Sequence, residues 1–152
     1  MSDCNWMGTD AAVLNLSGEN HQIRNCFLSK SGRTVLLHRK AKNCKILYNE
    51  ISEAGHICDD LGLTYTYDTD GQGTEIAYNW LHHNRAPHYG SGIYLDNGNS
   101  NFKVHHNVVW KCFVGMTINE TASDDSIYNN TFIKNKYTMG SGWFSEFAPK
   151  II

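Results

Sequence analysis

Ile76-Ala77-Tyr78-Asn79-Trp80-Leu81 decides the fold, because its skeleton returns along the chain. Ile46-x-x-Asn49-x-Ile51, Val104-x-x-Asn107-x-Val109 and Ile127-x-x-Asn130-x-Phe132 repeat it, and Asn25, between Ile23 and Phe27, is a looser fifth copy. Successive Asn residues are 24, 30, 28 and 23 positions apart. A polar residue that follows an aliphatic one also lies 11 positions before an Asn three times: His38 to Asn49, Asp96 to Asn107 and Asn119 to Asn130. A period of this length marks a stacked architecture, in which each repeat buries its apolar face against its neighbours.

Working outward, short apolar-alternating runs fill the chain between Gly, Asn, Asp and Ser, as in Ile93-Tyr94-Leu95 and Val104-His105-His106-Asn107-Val108-Val109. They read as short strands and turns, and no segment carries a long helical period. Each repeat holds two or three strands. A hairpin meander needs no ladder of identical positions, whereas a coil of parallel strands, each about 4.8 Å above the last, does. The expected fold is therefore all-β, a parallel solenoid of about six coils forming one domain over residues 1–152, either complete or a length of a longer solenoid.

The net charge of −2 gives no reason to expect a nucleic-acid or membrane-surface partner. No apolar run approaches membrane-spanning length. The start, Met1-Ser2-Asp3-Cys4-Asn5-Trp6, lacks the basic and apolar regions of a secretory signal. The five cysteines, Cys4, Cys26, Cys44, Cys58 and Cys112, show no paired spacing, so reduced and buried thiols are expected rather than a disulfide framework or zinc site.

With the repeat in place, the sequence resembles right-handed parallel β-helix proteins, the architecture of pectate lyases, polygalacturonases and related bacterial polysaccharide-active proteins. Asp70-Gly71-Gln72-Gly73-Thr74-Glu75-Ile76-Ala77-Tyr78-Asn79 and Gly92-Ile93-Tyr94-Leu95-Asp96-Asn97-Gly98 carry the likeness, which covers nearly the whole chain. The resemblance implies a carbohydrate partner and a secreted or periplasmic home. The missing signal and the five thiols pull the other way. It does not imply one reaction, since many chemistries share this scaffold.

Asn25, Asn49, Asn79, Asn107 and Asn130 read as scaffold: Asn tolerates left-handed backbone, and stacked amides bond to backbone and to one another. Aligning Val35-Leu36-Leu37-His38, His56-Ile57-Cys58-Asp59, Ile93-Tyr94-Leu95-Asp96, Met116-Thr117-Ile118-Asn119 and Trp143-Phe144-Ser145-Glu146 yields a second, variable ladder. Period-two alternation sends Asp59, Asp96 and Tyr94 outward. Asp59 and Asp96 are then expected on adjacent coils, about 4.8 Å apart at the backbone. Two carboxylates so close push one pKa up, leaving an acid beside a base as glycoside hydrolysis requires. Asp60 is the alternate carboxylate. The competing reading is that these residues merely cap turns.

Two insertions flank this place, one within Asp60 to Thr74 and one holding His82 to Tyr89, and long loops on a rigid scaffold are where function concentrates. They supply expected substrate contacts: Tyr65, Tyr89, His88 and Arg85, with Tyr94 on the strand face. Trp80 and Trp110 read as packing along the coil. A lyase is the alternative, with an Arg such as Arg85 or Arg39, or a His, as base and calcium as its cation. Asp68-Thr69-Asp70-Gly71 resembles the middle of a calcium loop, but Thr66 and Ala77 stand where ligands are needed, so a plain Asp-Gly turn is the better reading and no cofactor is required. A third reading is a non-catalytic glycan-binding β-helix, or one that stacks end to end through apolar Trp143, Phe144, Phe147 and Ile151-Ile152.

Overall fold

The computed structural model describes residues 1–7 and 10–141. The positions assigned above to Trp143, Phe144, Glu146, Phe147, Ile151 and Ile152 lie outside them.

Among the described residues every paired strand is parallel, and three large sheets run along one axis, with a two-stranded one of Gly18–Glu19 and Ala41–Lys42 beside them. The first contains Ala12–Asn15, Thr34–Leu37, Leu61–Thr66, Gly90–Leu95, Val114–Ile118 and Tyr137–Gly140. The second contains Gln22–Arg24, Lys45–Leu47, Glu75–Ala77, Lys103–His105 and Ser126–Tyr128. The third contains Ser2–Cys4, Phe27–Ser31, Glu50–Ser52, Trp80–His82, Val108–Trp110 and Thr131–Ile133. The chain visits the sheets in that order, coil after coil. This is a right-handed parallel β-helix.

Like residues stack on like. Ile23, Ile46, Ile76, Val104 and Ile127 are in register at the centre of the second sheet. Leu28, Ile51, Leu81, Val109 and Phe132 are in register in the third. These inward positions make the core, and each fully buried aliphatic contributes about 2 kcal/mol over exposure. Cys44 and Cys112 are buried while Cys4, Cys26 and Cys58 are half-buried, and all five are free.

The turn between the second and third sheets shows why Asn recurs. Asn79 Oδ1 accepts from the Asn49 N–H at 2.9 Å and from Asn49 Nδ2 at 3.0 Å. Its own Nδ2 donates to Ile46 O at 2.8 Å and to Asn107 Oδ1 at 3.0 Å. Asn107 repeats the pattern onto Asn130. Each amide thus satisfies main-chain groups of the neighbouring coil that no water reaches.

Two details differ from expectation. The left-handed residue is not the ladder Asn but the one before it: Tyr48, Tyr78, His106 and Asn129 all have φ between 53° and 58°. Asn25 belongs to that preceding row, with φ 52°, and Cys26 occupies the ladder position, its N–H donating to Asn49 Oδ1. The six-residue template alone could not separate two adjacent Asn-tolerant positions. Pairing of Ile23 with Ile46 does so.

The variable ladder also shifts. In the third coil the first-sheet strand is Leu61–Thr66, not His56–Asp59, which lies in the turn before it. Leu61 pairs with Gly90 and Tyr65 with Tyr94. The long turns are therefore 53–60 and 83–89, both entering the first sheet. The second was expected; the stretch assigned to the first insertion instead opens with the strand Leu61–Thr66. His38 pairs in line with Thr66 and Leu95 rather than with Asp96, and it is fully buried edge-on to Phe102.

Candidate active site on the first sheet

Tyr65 and Tyr94 are in register on the outer side of the first sheet, in a cluster separate from the core. They face out because the strand bends. Gly62 folds back so that a side chain there would run into the Thr64 carbonyl and lie 2.9 Å from Tyr94 Cβ. Only glycine leaves room for the Tyr94 ring to cross that bend.

Around these rings the structure assembles a network. Tyr65 donates its hydroxyl to Asp96 Oδ2 at 2.7 Å. Asp96 Oδ1 accepts from the Asn97 N–H at 2.8 Å and from Asn119 Nδ2. Asn119 Nδ2 also reaches the Tyr94 oxygen at 3.0 Å, and Tyr94 donates toward Asp60 Oδ1 at 3.4 Å. Tyr89 packs edge-on to Tyr94, with ring centroids 6.0 Å apart. Arg33 closes the far side: its guanidinium lies 5.0 Å over the Tyr65 ring, bonds Asp60 O at 3.0 Å and pairs with Asp10 at 2.7 Å.

Two carboxylates thus share one patch, but they are Asp60 and Asp96. Burial raises the Asp60 carboxyl above the usual carboxylate range, the Asp96 charge raises it further, and Arg33 opposes both. Burial first, then hydrogen bonding to and the charge of Asp96, pushes the Tyr65 hydroxyl up. Burial and the two carboxylates do the same for Tyr94, so both phenols act as neutral donors.

The remaining sequence candidates fall elsewhere. Asp59 lies in register with His88, at the opposite end of the strand pair from Asp96, and its Oδ1 caps the turn by accepting from the His88 and Tyr89 N–H groups at 3.0 and 3.2 Å. The expected Asp59–Asp96 adjacency therefore does not exist. It rested on aligning His56–Asp59 as a strand. His88 is exposed in the turn. Arg85 pairs with Glu53 at 3.4 Å, on the third-sheet side. Arg39 stacks 3.8 Å over Tyr67. Asp70 is an Asx turn onto the Gln72 N–H, with Asn101 Nδ2 on the same oxygen at 2.9 Å, and Asp68 takes left-handed backbone beside it. Among the described residues, no group of three or more His, Cys, Asp or Glu side chains is placed to hold a metal ion.

Sequence reasoning missed Arg33 and read Asn119 only as a cap. Asn119 carried a signal, since it shares a register column with Asp96. Arg33 carried none, because only the fold brings it to Asp60.

Stacked parallel coils, an internal amide ladder and, on the outer side of the first sheet, a cluster of buried tyrosines beside two half-buried carboxylates define a β-helix with a candidate site. The chain matches the family model for the right handed beta helix region over residues 2–132 and belongs to that family. No curated protein and no solved structure matches it.

Proposed function

We propose that this β-helix is carbohydrate-active and hydrolyses glycosidic bonds of a polysaccharide laid across the first sheet. The observation that carries the reading is the Asp60–Asp96 pair, one carboxyl raised by burial and charge, the other held by three donors. Asp60 protonates the glycosidic oxygen as the C1–O bond breaks. Asp96 takes a proton from a water whose oxygen bonds to C1 on the opposite face. One water is consumed, and the two protons end on the leaving hydroxyl and on Asp96. The Tyr94 hydroxyl and the Asn119 amide lie between the carboxyls, which suits the wider spacing of inversion, about 6.5–9.5 Å, better than the closer pair of retention. Tyr65, Tyr89 and Tyr94 are almost fully buried, so they order the carboxyl pair rather than stack on sugar rings.

The lyase reading drew on Arg85 or Arg39, or a His, as base, and Arg39 is stacked over Tyr67. Arg85 is engaged with Glu53 away from the carboxylates, so hydrolysis is the better supported of the two.

The test is reducing-end release from a panel of neutral and acidic polysaccharides. Asp60→Asn and Asp96→Asn should each lose turnover of the cleaved substrate by about 100-fold or more while staying folded, with Asp96→Asn losing about 1–2 kcal/mol of stability for the Tyr65 hydroxyl it no longer accepts. Full activity in Asp96→Asn removes the mechanism, and products with an unsaturated sugar end would replace it with elimination.

A further inference from the structure

A second surface, on the turn between the second and third sheets, has a different character. An open cleft of about 490 Å³ runs along the turn between the second and third sheets, beside the Asn ladder. One wall is the row of left-handed residues. Tyr48 and Tyr78 stack with centroids 5.0 Å apart and 8° between planes, and His106 continues the column at 5.1 Å. Their faces are spent on each other. The opposite wall is different: Phe27, Glu50 and Trp80 are in register on three successive coils. Phe27 is 53% and Trp80 58% exposed. The Glu50 side chain between them is 42% exposed and is oriented by His82 Nε2 at 3.2 Å.

We infer that this cleft is a non-catalytic binding site for a neutral β-linked glycan lying along the helix axis. The exposed Phe27 and Trp80 rings stand two coils apart, about 9.6 Å at the backbone. That spacing matches every second unit of a β-1,4-linked chain, whose pyranoses present apolar C–H faces to aromatic rings. Glu50 sits at the intervening unit, where it accepts from sugar hydroxyls. Alternation of ring, carboxylate and ring breaks up the contiguous apolar area that a protein partner needs. The carboxylate in the middle disfavours uronates, so the ligand is neutral. The cleft is built from side chains none of which belongs to the Asp60–Asp96 patch, and its occupancy stands or falls separately.

Calorimetric titration of the full chain with cellohexaose, xylohexaose, chitohexaose and hexagalacturonate tests this. At least one neutral hexamer should bind. Trp80→Ala and Phe27→Ala should each weaken it by tenfold or more, and Asp96→Asn should leave it unchanged. Both rings are exposed, so the variants should keep the wild-type circular dichroism spectrum. The inference is overturned if no neutral hexamer binds, as for a cleft that takes polypeptide. It is equally overturned if hexagalacturonate alone binds, or if Trp80→Ala binds like wild type. Binding lost in Asp96→Asn but kept in Trp80→Ala would place all glycan on the first sheet, sinking this site and leaving the proposed hydrolase intact.

Discussion

Tyr94 donates its hydroxyl toward Asp60 Oδ1 at 3.4 Å across 34 residues of chain, and the Tyr94 phenol oxygen itself accepts from Asn119 Nδ2 at 3.0 Å. One phenol thereby joins the turn that enters the first sheet to the turn that leaves it. Asp60 stands on one, Asp96 and Asn119 on the other. Tyr94→Phe should keep the fold, with a loss of about 1 kcal/mol in urea unfolding. Its turnover should drop while KM changes little, since the hydroxyl orders the carboxyl pair more than it binds substrate.

Gly62 is what lets that ring lie there. In Gly62→Ala the new Cβ meets Tyr94 Cβ at 2.9 Å and the Thr64 carbonyl closer still. The expected cost is about 2–3 kcal/mol in chemical denaturation, together with lost activity, because the strand must unbend and carry Tyr65 and Tyr94 apart.

Asp59 and Asp60 are adjacent in sequence and should separate by experiment. Asp59→Ala removes the cap on the His88 and Tyr89 N–H groups and should cost about 1–2 kcal/mol, with activity kept within a few-fold. Asp60→Asn should do the reverse, since Asn accepts the left-handed backbone at φ 58°. Equal catalytic losses in both would assign Asp59 a chemical role.

The basic limb of the activity profile should report Asp60. Its carboxyl is raised chiefly by burial and then by Asp96, while Arg33 lowers it. Arg33→Gln removes the lowering charge, so the acid stays protonated to higher pH and the basic limb of kcat/KM should move upward. A downward or absent shift would disconnect Asp60 from the reaction.

His38 ties stability to acid. Burial drops its pKa from 6.5 to about 3, and neither ring nitrogen has a hydrogen-bond partner. Between those values the unfolded chain binds a proton that the folded one refuses. Stability should therefore fall as pH drops below about 6.5, by up to about 1.4 kcal/mol per unit, levelling near pH 3. His83, lowered by burial and then by Lys111, adds in the same direction. Urea midpoints at pH 7 and pH 4 should differ clearly in wild type and much less in His38→Leu.

Asn79 probes the ladder. Asn79→Ala strands the Asn49 N–H in the interior and takes one donor from the Ile46 carbonyl, an expected loss of about 2–3 kcal/mol. Asn79→Asp should also destabilise, because a carboxylate cannot donate to Ile46 and Asn107.

The repeat was legible because its causes are local and identical in every coil. An inward aliphatic, a left-handed residue, an Asn whose amide serves the next coil and another inward aliphatic suffice to close one turn and seat the next. That local pattern is enough for the all-β class, the parallel coil, the scaffold role of Asn49, Asn79, Asn107 and Asn130, and the placing of Tyr94 and Asp96 on the side of the strand away from the core. The neighbours of Asp96 were decided only by tertiary pairing. The turns entering the first sheet vary freely in length, so His56–Asp59 and Leu61–Thr66 compete for one strand position on pattern alone. Hydrogen bonding of Leu61–Thr66 to Gly90–Leu95 selects the second, moving Asp59 into a cap and bringing Asp60, through the bend at Gly62, to the tyrosines. Exposure was likewise beyond the sequence: Trp80 reads as packing until the coil places it, with Phe27 and Glu50, on an open wall, because only the stacked fold determines which outward side chains a neighbour covers.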